Sequence, residues 1–151
     1  MDRATPLRNR LPQILAYMTP FPYSVDVDAP LAEAHAFLRE RHIRHLPVTE
    51  RGELVGVLTD RDIKLALGPD LGSPPERELA VRDVFQPEAY VVDAGAPLVT
   101  VAATMAERHL GSALVTRGGK LVGIFTTTDA CRALARILRE QHPDRGPDEV
   151  A

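Results

Sequence analysis

A repeat at a constant offset of 67 residues restricts this chain's fold more than any other feature. That offset sets Pro20 on Pro87, Tyr23 on Tyr90, Val25 on Val92 and Asp26 on Asp93. It sets Ala29-Pro30-Leu31 on Ala96-Pro97-Leu98, and Glu40-Arg41-His42 on Glu107-Arg108-His109. Gly52, Leu54, Val55, Gly56, Thr59 and Asp62 fall on Gly119, Leu121, Val122, Gly123, Thr126 and Asp129. Between Met18–Leu67 and Phe85–Leu134 there are 21 identities in 50 ungapped positions, far above chance. A unit that small buries too little surface to be stable alone, so the two copies are expected to pack together.

Each copy reads as strand, helix, strand, strand, helix. A proline-containing lead-in (Pro20-Phe21-Pro22; Pro87) precedes an extended stretch, Tyr23–Val27 or Tyr90–Asp93. A helix follows with Pro30 or Pro97 in its first turn, where a missing N–H costs nothing. Its apolar face is Leu31, Ala34, Phe37 and Leu38, or Leu98, Val101, Ala102 and Met105. Two strands, His45–Thr49 with Leu54–Leu58 and Ala113–Thr116 with Leu121–Phe125, are joined by Arg51-Gly52 or Gly118-Gly119. A second helix starts at Thr59 or Thr126. The expected organisation is an N-terminal segment or short helix over 1–17, copies over 18–67 and 81–138, a Gly/Pro-rich linker over 68–80, and a flexible tail over 139–151.

The remaining composition narrows the function. A net charge of −3, with acids and bases interspersed, argues against a nucleic-acid partner, which calls for a basic face. The one cysteine, Cys131, cannot form an internal disulfide, so a reducing cytoplasm is the expected location and packing the expected role. No apolar run is long enough to span a membrane, and residues 1–15 lack the apolar core of a secretory signal. The amphipathic stretch Leu11–Met18 is expected to pack on its own domain or on a partner protomer. His42 and His45 lie three apart but have no clustered cysteine or acid, so no metal site is expected. No Ser-His-Asp order, P-loop or dinucleotide fingerprint occurs, and Thr127 replaces Asp60 in the second copy, so neither catalysis nor a paired-carboxylate site is expected.

The chemistry concentrates at one junction. Gly56-Val57-Leu58-Thr59-Asp60-Arg61-Asp62 and Gly123-Ile124-Phe125-Thr126-Thr127-Thr128-Asp129 both read Gly-x-x-Thr-x-x-Asp. Thr-x-x-Asp is the pattern of a capping box, in which threonine and acid each satisfy a free backbone N–H. The same geometry suits a ligand: N–H groups at a helix start favour phosphate, and an acid one turn in can accept two hydrogen bonds from vicinal hydroxyls.

With a Met18-Thr19-Pro20 entry and an Arg44-His45-Leu46-Pro47-Val48 strand, the duplicated pattern resembles the cystathionine-β-synthase (CBS) domain pair, or Bateman module, over roughly Gln13 to Leu138. The resemblance implies an α/β fold of two tandem CBS repeats (β-α-β-β-α twice) with a pseudo-twofold and two clefts. It further implies a homodimer and a regulatory ligand, AMP, ADP, ATP or S-adenosylmethionine, whose state passes to an effector protein the sequence does not name. In that frame Asp62 and Asp129 hold ribose hydroxyls with Thr59 and Thr126 beside them. Tyr23-Ser24-Val25 and Tyr90-Val91-Val92 line the adenine slot, and His45-Leu46-Pro47 and Ser112-Ala113-Leu114 form the opposite wall. Arg61, Arg44 and His45 offer positive charge to phosphates, whereas Thr127, Thr128 and Gly111-Ser112 offer hydroxyls and N–H groups. Which charges face which cleft depends on how the halves pack, and unequal affinities are expected. The rival readings are a ligand-free dimerisation or adaptor module and an S-adenosylmethionine sensor.

Overall fold

The computed structural model describes residues 11–20, 23–67 and 78–143. Phe21-Pro22, most of the expected linker and the end of the expected tail lie outside the described residues. The first copy contains β2 (Val25–Asp26), α1 (Leu31–Glu40), β3 (His45–Glu50), β4 (Glu53–Thr59) and α2 (Asp60–Leu67). The second contains β5 (Val91–Asp93), α3 (Leu98–Glu107), β6 (Ser112–Arg117), β7 (Lys120–Thr126) and α4 (Thr127–Gln141). A short β1 (Thr19–Pro20) precedes them. The sheet orders are β2-β3-β4 and β1-β7-β6-β5.

In both copies the first strand runs parallel to the second, and the second pairs antiparallel with the third. Each hairpin closes through two residues at positive φ, Arg51 and Gly52 (52° and 79°) or Gly118 and Gly119 (58° and 80°), the backbone that a two-residue hairpin turn demands. Pro30 and Pro97 stand at the N-cap, one step outside the helix, with extended ψ values of 135° and 132°. After α1 and α3 the chain turns at His42 and His109, which have φ of 53° and 54°. His42 N–H donates to Arg39 and Ile43 N–H to Leu38, closing the helix end. The repeated histidine therefore marks a left-handed helix exit, a conformation in which histidine is over-represented.

Each copy has its own core, and each core is completed by the other copy's lead-in. Ile14, in a 3-10 turn over Ile14–Ala16, is fully buried among Leu98, Val101, Met105 and Phe125 of the second copy. Its repeat mate Val81, in a 3-10 turn over Val81–Asp83, is fully buried among Leu31, Leu38, Leu58 and Ile63 of the first. The backbone follows the same exchange. Leu98 N–H donates to Pro12 and Ile14 N–H to Ala96, while Leu31 N–H donates to Leu79 and Val81 N–H to Ala29. Arg82 adds ion pairs to Glu50 (2.9 Å) and Asp28 (3.3 Å) of the first copy. Burying one such aliphatic side chain contributes about 1.5–3 kcal/mol, so the exchange ties the copies together across the linker. The stretch expected as an amphipathic helix over Leu11–Met18 is thus a single turn serving the second copy's core.

The lead-ins also account for the repeated glycine. β1 pairs antiparallel with β7 as Thr19 opposite Ile124, and Gln86 bridges Val57 at the equivalent place. A Cβ on Gly56 would collide with the Gln86 carbonyl and the Phe85 ring, and one on Gly123 with Met18 and the Thr19 carbonyl. Glycine is what lets each lead-in cross its strand. Between the sheets Val57, Leu114 and Ile124 form a small apolar seam. α4 continues through Gln141, so residues 139–141, expected in the tail, are helical.

Candidate functional site

Both helix starts close as reciprocal capping boxes. Thr59 N–H donates to Asp62 Oδ2 at 3.1 Å, and Asp62 N–H donates to Thr59 Oγ1 at 3.0 Å. Thr126 N–H donates to Asp129 Oδ2 at 2.9 Å, and Asp129 N–H donates to Thr126 Oγ1 at 3.3 Å. The second carboxylate oxygen takes a donor from the crossing lead-in. Gln86 Nε2 donates to Asp62 Oδ1 at 2.7 Å, and the Thr19 hydroxyl donates to Asp129 Oδ1 at 3.0 Å. Asp129, only 5% exposed, is the one charged side chain in the core among the described residues. The Thr126 hydroxyl and Arg132 Nη1 (3.4 Å) complete its bonds, so its charge is buried with partners.

A cleft of about 620 Å³ opens at the start of α4. From the first copy it is lined by Tyr23, Ile43, Arg44, His45 and Pro47. From the other side come Ile124, Thr126, Thr128, Asp129 and Arg132. Two cations, a helix start, a carboxylate and an apolar wall thus converge in one space. The carbonyl of Arg44 accepts the Asp60 N–H at 3.0 Å and anchors α2, while its side chain lines the cleft at α4. Tyr23 is held at the rim by Arg41. The guanidinium lies 4.2 Å from its ring centroid and donates to its hydroxyl at 2.8 Å, and the Phe37 ring meets Tyr23 edge-on at 5.1 Å.

His45 lies against Gly111 of the opposite copy, where even a Cβ would press on the imidazole. Burial pushes the His45 pKa below its ordinary 6.5; nearby Asp62 opposes that shift and Arg44 reinforces it. Gly111 is therefore more than an uncharged counterpart of Arg44: it makes room for His45.

Of the residues singled out in the sequence, Tyr23, Arg44, His45, Pro47, Thr126, Thr128 and Asp129 come together in this cleft. Thr59, Arg61 and Asp62 stand apart at α2, with Arg61 exposed. Arg44 lines the cleft of the other copy's aspartate while His45 feels the charge of Asp62 in its own copy, so the basic residues grouped with Arg61 in the sequence are divided between the two helix starts. Leu46 and Ala113 are buried in the two cores and Leu114 in the seam, so their side chains do not form a cleft wall. Val25 packs on the first core, and Tyr90 on the second. Ser24 and Val91 are exposed, and Ser112 is half-buried at the start of β6. Sequence reasoning missed Thr19, Pro20, Ile43, Ile124 and Arg132 as lining residues. Arg132 was detectable, being one helical turn beyond Asp129.

A second cavity of about 270 Å³ is apolar and lies between α3, α4 and Leu11-Pro12. Among the described residues no group of three or more His, Cys, Asp or Glu could hold a metal, and no helix is long and apolar enough to cross a membrane.

Two β-α-β-β-α units with crossed lead-ins and paired capping boxes define a duplicated α/β module. The CBS domain family profile matches residues 14–68 and again 81–136, and the chain belongs to that family. Hypoxic response protein 1 of Mycobacterium tuberculosis is 37% identical over 108 residues, 69% of this chain and 72% of that protein. The structure of CBSX2 in complex with AMP matches with a TM-score of 0.71 at 29% identity, covering 83% of this chain and 97% of that one. The CBS domain pair of protein MJ0100, in complex with 5′-methylthioadenosine and S-adenosyl-L-methionine, matches with a TM-score of 0.74 at 22% identity, over 85% and 99%.

Proposed function

We propose that this protein is a non-catalytic, cytoplasmic sensor that binds an adenine nucleotide in the cleft at the start of α4 and passes its ligand state to another protein. The observation that carries this reading is the convergence of Arg44, Arg132, Thr126, Thr128 and Asp129 in one cleft with the apolar Ile43, Pro47 and Ile124. Arginine offers a fork of N–H donors suited to phosphate, the helix start adds partial positive charge, and the apolar side chains offer a surface for a base. The AMP complex of CBSX2, 29% identical, supports the same ligand class.

The geometry sets a condition on binding. Ribose hydroxyls reach Asp129 Oδ1 by displacing the Thr19 hydroxyl or Arg132, which hold it now. Ligand and lead-in therefore compete for one oxygen, and occupancy is felt by a segment already tied into the second core. A population shift of this kind requires different ligand affinities for the two arrangements. S-adenosylmethionine, held by the MJ0100 pair, is the alternative ligand. Its carboxylate could pair with an arginine, but its sulfonium and ammonium would be repelled by the two present, which favours phosphate.

An adaptor reading draws on one observation: the carboxylates at both helix starts are already satisfied by the chain's own donors. Calorimetric titration with AMP, ADP, ATP and S-adenosylmethionine separates these readings. Saturable nucleotide binding that is strongly weakened by Asp129→Ala supports the sensor, and no binding of any of the four by ligand-free folded protein supports the adaptor. The homodimer belongs to the same proposal, and sedimentation of the purified protein tests it.

A further inference from the structure

The repeat offset places Gln86 where Thr19 stands, Leu65 where Arg132 stands and Gly111 where Arg44 stands. Each difference removes from the α2 start something that the α4 cleft has. Two backbone hydrogen bonds with Val57, 2.9 and 3.0 Å, position Gln86. Its amide donates to Asp62 Oδ1 at 2.7 Å, against 3.0 Å for Thr19 on Asp129. Leu65 is 72% exposed and brings no charge. At Gly111 the His45 imidazole, near enough to Asp62 to feel its charge, fills the space that an arginine side chain would need. The local charge differs as well. The α4 cleft sets Arg44 and Arg132 against Asp129, whereas the start of α2 carries two carboxylates, Asp60 and Asp62, with Lys64 paired to Asp60 at 2.8 Å, His35 3.8 Å from the same carboxylate, and Arg61 exposed beside them.

We infer that Gln86 and Leu65 make this protein a one-site sensor. The α4 cleft takes the phosphate-bearing ligand, and the α2 start is closed to it by the chain's own amide and by the absence of both arginines that the α4 cleft has. Both helix starts keep the capping box because it serves the fold, while only one is furnished for a ligand. This inference rests on the nucleotide-binding reading above and adds the residues that set the stoichiometry.

The test is calorimetric titration with AMP and with ATP of the wild type, Leu65→Arg, Gln86→Thr/Leu65→Arg, and the double variant with Asp62→Ala added. The wild type is expected to bind one nucleotide per chain. The double variant is expected to bind two, the second at least tenfold more tightly than any residual wild-type binding there, and Asp62→Ala should remove only the added site. Leu65→Arg alone, at an exposed position that should not disturb folding, is expected to give a weaker second site should the double variant fail to fold. Two sites in the wild type, or one site in every folded variant, would overturn the inference while leaving the nucleotide reading intact. No nucleotide bound by the wild type would overturn both.

Discussion

The starts of α2 and α4 share a threonine, an aspartate and a crossing lead-in, and they differ in nearly everything around those groups. At α4 the carboxylate is buried, held by a hydroxyl and an arginine, and faces a cleft that the first copy supplies with Arg44 and His45. At α2 the carboxylate is only half-buried and held by an amide, and the opposite copy offers Gly111 and Ser112 at the mates of Arg44 and His45. The repeated residues hold the fold together, and the proposed nucleotide site adds to the repeated Thr126 and Asp129 the positions at which the copies differ.

The comparison can be broken first at the two glycines. In Gly56→Ala the new Cβ meets the rigid Gln86 carbonyl and the Phe85 ring, whereas in Gly123→Ala its nearest neighbour is the flexible end of Met18. Gly56→Ala is expected to destabilise by about 3 kcal/mol and Gly123→Ala by about 1–2 kcal/mol, measured by urea unfolding followed by circular dichroism. Similar losses in both would show that the two crossings are equally tight.

The aspartates come next. Asp129→Ala is expected to weaken AMP binding about thirtyfold, roughly 2 kcal/mol, through loss of charge-assisted hydrogen bonds. Asp62→Ala should leave affinity within about twofold, a change of roughly 0.4 kcal/mol, in the same titration. A smaller effect is expected from Arg44→Ala and Arg132→Ala, about fivefold each, roughly 1 kcal/mol, with a shallower dependence on salt than the wild type. Arg61→Ala should change neither.

The smallest effect sharpens the comparison at the seam. Burial holds the folded-state pKa of His45 below 6.5, so between those two values the unfolded chain binds more protons than the folded one. The His45 contribution is therefore fully present above pH 6.5 and is lost as pH falls through the lowered value. His45→Asn should flatten that part of the acid limb in thermal unfolding measured between pH 7 and pH 5.

Much of the fold was legible because the duplication exposes its own register, and the strand-helix-strand-strand-helix order followed from spacing alone. The exchange of lead-ins was not. Residues 11–17 and 78–84 share no identity at the repeat offset, so only the offset itself pairs Ile14 with Val81, and nothing in the sequence shows that each packs into the opposite copy. Burial in an apolar core asks only for an aliphatic side chain, and either residue satisfies it. The capping threonines and aspartates were legible for the same reason as the fold, since a backbone requirement repeats with the backbone. The destination of Arg44 was illegible, because the pseudo-twofold carries the side chains of one copy to the helix of the other. Thr19 and Gln86 look unrelated in sequence, and only the crossing of the lead-ins brings both to a carboxylate.

The central claim, that a nucleotide sits between the edge of the first copy and the start of α4, is tested most directly by a crystal structure of the protein with AMP. The account predicts ribose hydroxyls on the Asp129 carboxylate, with the Thr19 hydroxyl or Arg132 displaced, and the phosphate between Arg44 and Arg132. AMP found only at Asp62, with the α4 cleft empty, would contradict it.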